Sequence, residues 1–337
     1  MRALLIVNPR ATTTTRLRRD VIVHALASQM DLEVVETRYR GHAAGLAGTA
    51  ALEGHELVLT LGGDGTVNEA INGLLGKAAG PAPDSPAPDS RWTDSPAPDG
   101  RWTGPAVPAL AALPGGNANV FTRALGLATD PVDATGAVIE ALRAGRSRRI
   151  GLGRAESAGL PDRYFAFNAG LGLDAEVVRA IEGLRARGRT ATPGLYLWTA
   201  LRQYYAVTDR RHPALILERD GQPPVGHLFF GFILNTAPWT FLGRRPVNPS
   251  PAAAFNAGLD LFALRRLRTL GTLNALRQMI SRRSGPPAGR DVLSLHDERL
   301  LRFSATRPVA LQVDGEYVGE QESVTFRSVP DALRVIA

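Results

Sequence analysis

The sequence predicts an α/β N-terminal domain, a parallel sheet with helices on both faces, followed by an antiparallel, β-rich C-terminal domain. Three observations carry that prediction. Over the first 75 residues short apolar runs alternate with helical patterns, the order expected of parallel strands joined by crossover helices. After residue 148 the pattern changes to short strand-like runs separated by Gly, Asp and Pro, as in antiparallel sheets. A length of 337 residues suggests two domains, placed at 1–148 and 149–337. A return of the last residues to the first domain is left open.

Residues 2–7 (RALLIV) are the first apolar run and end at Asn8-Pro9, a turn signal. A helical pattern follows through Leu17, Val21, Val23 and Leu26, then a strand at 32–37 and a small-residue helix at 43–52. Residues 57–61 (LVLTL) suit a strand buried on both faces. Gly62-Gly63-Asp64-Gly65 reads as a turn whose glycines allow positive φ and close approach of another molecule. Thr66-Val67-Asn68-Glu69 fits a Thr-x-x-Glu capping box, with Val67, Ile71 and Leu74 continuing at helical spacing. Strand, glycine turn and helix N-terminus together form an anion site, because unpaired N–H groups and the helix dipole both favour a phosphate. The pattern is neither a P-loop nor the Gly-x-Gly-x-x-Gly dinucleotide fingerprint. Asp64 would repel a phosphate there, so it calls for a metal ion or a hydroxyl partner. Asn8, Thr37 and residues 62–66 all follow strand ends, where parallel sheets bind ligands.

Between residues 80 and 105 the composition shifts abruptly, and SPAPDSRWTD (85–94) recurs almost unchanged as SPAPDGRWTG (95–104). Such a segment buries too little to fold alone and reads as a disordered surface insertion in a βα connection. A strand at 107–113, a second glycine turn at 114–119, a helix start at 120–127 and an amphipathic helix at 131–143 complete the first domain. In the second, strands are expected at 149–155, 164–169, 214–218, 227–234, 259–264, 300–305, 309–313 and 323–327. Helices are expected at 174–185, 193–207 and 270–280.

The absence of cysteine excludes disulfides, thiolate metal sites and a cysteine nucleophile. Net charge is +7, with Lys77 the lone lysine, which fits an anionic partner: nucleotide, acidic lipid surface or nucleic acid. No nucleic-acid recognition signature accompanies it. Residues 3–7 are too short for a leader's apolar core, and no apolar run reaches membrane-spanning length. Any membrane contact is therefore expected to be peripheral. Residues 193–207 (PGLYLWTALRQYYAV), flanked by Arg185, Arg187, Arg189, Arg210 and Arg211, suit a headgroup interface. Residues 238–242 (PWTFL) with Arg244 and Arg245 are a second candidate, and either segment would equally serve as an aromatic face packed on the β domain.

The Gly-Gly-Asp-Gly-Thr-x-Asn-Glu loop (62–69), the Pro-x-Gly-x-x-Asn turn (114–119) and the late Asp-Gly-Glu (314–316), in this order, closely resemble the diacylglycerol kinase catalytic family of lipid kinases. That family includes bacterial lipid kinases, sphingosine kinases and ceramide kinases. The resemblance runs from Asn8-Pro9 through 61–73, 113–126 and 168–174 to 313–317, and is nearest to actinobacterial members. It implies an ATP-binding α/β domain, a β-rich lipid-substrate domain and an active site in the cleft between them. It implies transfer of the γ-phosphoryl of ATP, with Mg2+, to a lipid hydroxyl, most readily diacylglycerol to give phosphatidic acid. Carried onto this chain, Asn8, Pro9, Arg10 and Thr37 approach ATP. Gly62, Gly63, Asp64, Gly65, Thr66, Asn68 and Glu69 form the phosphate loop, and Gly115, Gly116 and Asn117 the second wall. Asp64 is implied in catalysis and in contact with magnesium through Mg-ATP, and Glu316 as general base.

The chemistry supports the last role independently, since an alcohol attacking phosphorus must lose its proton to a group within reach. Asp314-Gly315 between apolar alternations is also a strong hairpin signal, and such a turn would place the acid. The chain departs from the family pattern at Asn117, where a threonine is usual, and at Val120 and Ala257, where acids are usual. The implied setting is cytoplasmic, peripheral to the inner membrane face, with a homodimer open. The alternatives are an NAD kinase or other small-molecule kinase sharing the loop, and a catalytically weak nucleotide- and lipid-binding regulator.

Overall fold

The computed structural model describes residues 1–11, 15–76, 107–187, 193–243, 245–281 and 285–337. The duplicated segment at 85–104, with Trp92 and Trp102, lies outside the described residues. Two compact units emerge: Met1–Ile150 with Asp331–Ala337, and Gly151–Pro330.

The first unit holds strands β1 (Arg2–Val7), β2 (Asp31–Glu36), β3 (Leu57–Gly62) and β4 (Ala109–Pro114). They lie side by side in the order β2-β1-β3-β4, all parallel. Near the C-terminus Val335 pairs in parallel with Leu110 at the β4 edge. Among the described residues, the helices of this unit are α1 (Arg16–Ala27), α2 (His42–Leu52), α3 (Asp64–Leu75), α4 (Val120–Ala124) and α5 (Pro131–Arg143). Alternate strand residues such as Leu5, Leu59 and Ala111 form one core with Ile22 and Leu26 of α1 and Val138 of α5. The intervening residues Leu4, Ile6 and Val58 are also buried. Burial of both faces explains why these strands read as unbroken apolar runs.

Two helical expectations shift. On α1 it is Ile22 and Leu26, four apart, that face the core, while Leu17 and Val21 are exposed. Helix α3 begins at Asp64 with Gly63 as its cap residue, so Thr66 is inside the first turn. The capping box is not formed, because tertiary partners claim both of its side chains.

The second unit is predominantly antiparallel. Strands β5 (Arg148–Glu156), β6 (Arg163–Phe165) and β7 (Asn168–Gly172) lead into α6 (Leu173–Ala186) and α7 (Pro193–Arg202), which ends in a π-helical turn, Gln203–Val207. Then come β8 (Leu215–Arg219), β9 (Gln222–Leu228), β10 (Phe230–Leu234), β11 (Thr240–Leu242), β12 (Arg245–Val247) and β13 (Leu259–Leu264). Helix α8 (Thr269–Ile280) and strands β14 (Val292–Glu298), β15 (Leu300–Val313) and β16 (Glu316–Val335) finish the chain. The sheet runs β14-β13-β10-β7-β15-β16, with antiparallel partners throughout this run.

Several expected strand limits move, each for a physical reason. The strand expected at 164–169 divides, because the N–H groups of Ala166, Phe167 and Asn168 all donate to the Asp314 carboxylate. The one expected at 227–234 begins a separate strand at Phe230, with His227 at φ 63°. Conversely, 300–305 and 309–313 merge into β15, and the register shifts between Ser304 and Val309, around Pro308, which has no N–H to give. Strands β11, β12 and β14 have no counterpart in the sequence expectations, and β9 meets the expected 227–234 only at its last two residues.

Candidate active site

In the first unit, the C-terminal ends of the parallel strands carry a hydrogen-bonded group of expected site residues. The Asn8 N–H donates to Leu61 O at 2.9 Å, and Thr37 N–H donates to Val7 O at 2.8 Å. The Asn8 amide nitrogen donates to Thr66 Oγ1 at 3.2 Å, while its Oδ1 accepts from Arg10 N at 2.9 Å. Asn8 therefore ties the β1 exit to the first turn of α3. Pro9 and Arg10 are exposed beside it.

The two glycine turns press against each other. Gly115 N–H donates to Gly62 O at 2.7 Å. A Cβ on Gly116 would lie 2.7 Å from Gly63 Cα, and one on Gly115 2.9 Å from Gly62 Cα. Here glycine is required by backbone-to-backbone packing within the chain. Asn119, the last residue of the Pro-x-Gly-x-x-Asn motif though not among the expected site residues, closes the second turn: its Oδ1 accepts from Gly116 N at 2.9 Å and its Nδ2 donates to Gly116 O at 2.7 Å. Its φ of 46° is a conformation asparagine tolerates better than most residues. Asn117, beside it, is exposed.

The two acids of the first turn support backbone. Asp64 Oδ2 accepts from Val120 N and Oδ1 from Phe121 N, each at 3.0 Å, so one carboxylate caps α4. Burial raises its pKa, opposed by those two N–H groups and the nearby Arg123 guanidinium. From sequence, Asp64 is expected to meet magnesium through Mg-ATP; in the structure each of its oxygens accepts one N–H, which leaves a further lone pair on each. Among the described residues the one cluster of three His or carboxylate ligand atoms is Glu33, Glu53 and His55, which includes no glycine-turn residue. Glu69 Oε1 accepts from Gly41 N at 2.8 Å and Oε2 from Ala43 N at 3.1 Å, capping α2. Asn68 is buried, its backbone carbonyl accepting from Asn72 Nδ2 at 2.9 Å. What faces outward is Gly63–Gly65, partly exposed at the N-terminus of α3, where the first N–H groups have no helical acceptor.

In the second unit, Asp314 and Gly315 have φ of 47° and 78° and link paired residues Val313 and Glu316. This is the two-residue hairpin turn that needs positive φ at both positions. Buried Asp314 anchors it through the three N–H groups of residues 166–168, at 2.7, 3.0 and 3.0 Å. Glu316, just past the turn, forms an ion pair with Arg163 of β6. Gln312 extends the network: its Nε2 donates to Asn168 Oδ1 and to Asp174 Oδ2, both at 2.7 Å, and its Oε1 accepts from Gly315 N. Arg163 and Gln312 went unmarked in the sequence, because each acts through partners distant along the chain, and Asp314 reads there only as part of a motif and a hairpin turn.

Burial pushes Asp174 up to about 7, with the Gln312 amide pulling the other way. Between roughly pH 4 and 7 the folded chain then keeps a proton that the unfolded chain has lost. Stability from this group is full below pH 4, falls by at most about 1 kcal/mol per pH unit, and is lost as pH rises through 7. Asp174→Asn keeps an oxygen for Gln312 and should flatten the melting temperature between pH 5 and 8, raising it relative to wild type at the alkaline end. Melting curves across that range check this; identical pH slopes in both proteins would refute it.

The first unit offers a helix N-terminus at the end of a parallel sheet, and the antiparallel second unit carries an acid held by an arginine. Residues 2–155 match the family model of the diacylglycerol kinase catalytic domain. The chain is 24% identical over 321 residues to a diacylglycerol kinase of Staphylococcus carnosus, covering 95% of this chain and 90% of that protein. It is 28% identical over 166 residues to a diacylglycerol kinase of Staphylococcus saprophyticus, spanning 49% of this chain and 43% of that relative. A solved diacylglycerol kinase of Bacillus anthracis str. Sterne shares the fold, with TM-score 0.66 and 18% identity over 99% of this chain and 96% of that one.

Proposed function

We propose that the chain is an ATP-dependent lipid kinase whose leading acceptor is diacylglycerol, giving phosphatidic acid. The observation that carries this reading is the outward-facing N-terminus of α3 at Gly63–Gly65, held by Asn8, Gly115 and Gly116 at strand ends. Backbone N–H groups and the helix dipole there favour the nucleotide's phosphates. Asp64 and Glu69 act by positioning: one fixes the second glycine turn through α4, the other fixes α2. Glu316 takes the proton from the lipid hydroxyl as its oxygen bonds to the γ-phosphorus, and the bond from that phosphorus to the bridging oxygen breaks to release ADP. Arg163 orients Glu316. Magnesium enters with the nucleotide phosphates, and no protein carboxylate is assigned to it.

The lipid acceptor stays in the bilayer, so the enzyme works peripherally, at the cytoplasmic face of the membrane. No helix among the described residues is long and apolar enough to cross one. Of the two aromatic segments, Trp239 stacks on Phe232 at 4.6 Å and so faces inward, whereas Trp198, Leu201 and Tyr205 are exposed.

The deciding experiment is transfer of labelled γ-phosphate from ATP and magnesium to a panel of lipids in mixed micelles, with NAD as a soluble acceptor. Labelled lipid is expected, strongest with diacylglycerol. Label in NAD alone would make the chain an NAD kinase; tight ATP binding with no labelled product would make it a regulatory binder.

A further inference from the structure

Helix α8 turns its leucines outward. Ala275, Gln278 and Met279 are its buried residues, whereas Leu270 is 83%, Leu273 52% and Leu276 40% exposed. Spaced at i, i+3 and i+6, the three leucines follow one another along one side of the helix. A surface helix normally turns such residues to the core. One exposed leucine needs no explanation, but three in a row along one helix do.

The charge around this face has one sign. Residues 261–290 contain seven arginines and neither Asp nor Glu. Arg265, Arg266, Arg268 and Arg277 are all exposed. The acid that ends the span, Asp291, lies 3.9 Å from Arg266. The apolar surface also continues beyond the helix. Tyr204 of the π-helical turn donates its hydroxyl to Leu267 O at 2.9 Å and sits 3.2 Å from Thr272 Oγ1, which pins that turn to α8. Its neighbours Tyr205 and Val207 are exposed.

We infer that α8 is a membrane-docking face, with Leu270, Leu273 and Leu276 entering the headgroup boundary of an anionic bilayer while Arg268 and Arg277 meet lipid phosphates. Outward leucines beside arginines are the chemistry of an interfacial helix, in which buried apolar area and attraction to anionic lipid add together. A second copy of the chain fits poorly, because the same arginines would face each other. The inference gives the membrane contact of the proposed lipid kinase a location and rests on that reading only for its purpose. Docking itself can be measured without turnover.

The test is co-sedimentation of the full chain with phosphatidylglycerol-rich vesicles and with pure phosphatidylcholine vesicles, at low and high salt. Wild type is expected to pellet with the anionic vesicles and to release as salt rises. The triple variant Leu270→Ser/Leu273→Ser/Leu276→Ser should bind them about tenfold or more weakly with an unchanged melting temperature. Leu52→Ser, at an exposed leucine of the first unit, should bind as wild type. The triple variant should still phosphorylate a short-chain diacylglycerol in detergent micelles. Loss of vesicle binding without labelled product from either protein would sink the kinase reading and leave the docking face standing. Equal vesicle binding by wild type and triple variant, or none by wild type, overturns the docking face. So does a wild-type dimer that the triple variant dissolves without losing vesicles.

Discussion

Asp64→Ala should lose about 100-fold in phosphoryl transfer and at the same time lower the melting temperature in the absence of nucleotide and metal. The carboxylate accepts the N–H groups of Val120 and Phe121, each at 3.0 Å. Alanine leaves two inward-facing donors without an acceptor, at about 1–3 kcal/mol each. Removing a carboxylate whose burial already disfavours its charge offsets part of this. A net loss of about 2 kcal/mol is expected, comparable with removal of a strong helix cap, or roughly 4–8 °C in melting temperature. With α4 released, the Gly115–Gly116 turn packed on Gly62–Gly63 shifts, and the phosphate-facing N-terminus of α3 loses its support. Asp64→Asn retains one acceptor oxygen and should recover about half of the lost stability. The comparison separates positioning from metal binding. A metal ligand would leave apo stability unchanged or improved and would alter mainly the magnesium requirement, so that pattern in Asp64→Ala would remove the positioning role.

What the sequence made legible was whatever local chemistry decides. The strand at 57–61 and the helix at 131–143 appear where propensity and punctuation put them, because Asp130-Pro131 and the glycines after Leu61 act on their immediate neighbours, although the helix after Gly62-Gly63 starts two residues early, at Asp64. The alternation that marks the parallel unit is likewise local. What stayed hidden depends on partners far along the chain. Thr66 and Glu69 match a capping box letter for letter, yet Asn8 engages the first, and Gly41 and Ala43 engage the second. The break between β6 and β7 has no local cause at all: it follows from Asp314, nearly 150 positions away. Strand β14 is half-exposed along most of its length, so it lacks the apolar contrast that reveals a strand. For the same reason the roles of the acids were harder to read than their positions. A carboxylate in a glycine turn suggests a metal, and only the fold shows that two backbone N–H groups also use it.

Glu316→Gln should reduce turnover by about 10²–10⁴-fold while leaving ATP affinity and the fold nearly unchanged. The amide has the carboxylate's shape but cannot accept the proton of the lipid hydroxyl. Its position is set by the Asp314-Gly315 turn, which the substitution does not touch. The side chains of Glu316 and Arg163 are only 16% and 25% exposed, so losing the charge of this pair should cost about 1–3 kcal/mol, part of which the amide oxygen recovers by still accepting from Arg163. A control distinguishes a base from one half of a structural pair. Arg163→Gln breaks the same pair and leaves the carboxylate in place, so it should keep far more turnover than Glu316→Gln, with the deficit arising from orientation alone. Single-turnover phosphoryl transfer and ATP binding measured on both variants decide the matter. Equal impairment of the two would mean that the pair serves the fold of the β hairpin and that some other group takes the proton. A large deficit confined to Glu316→Gln would leave Glu316 as the acceptor, with Arg163 holding it in place.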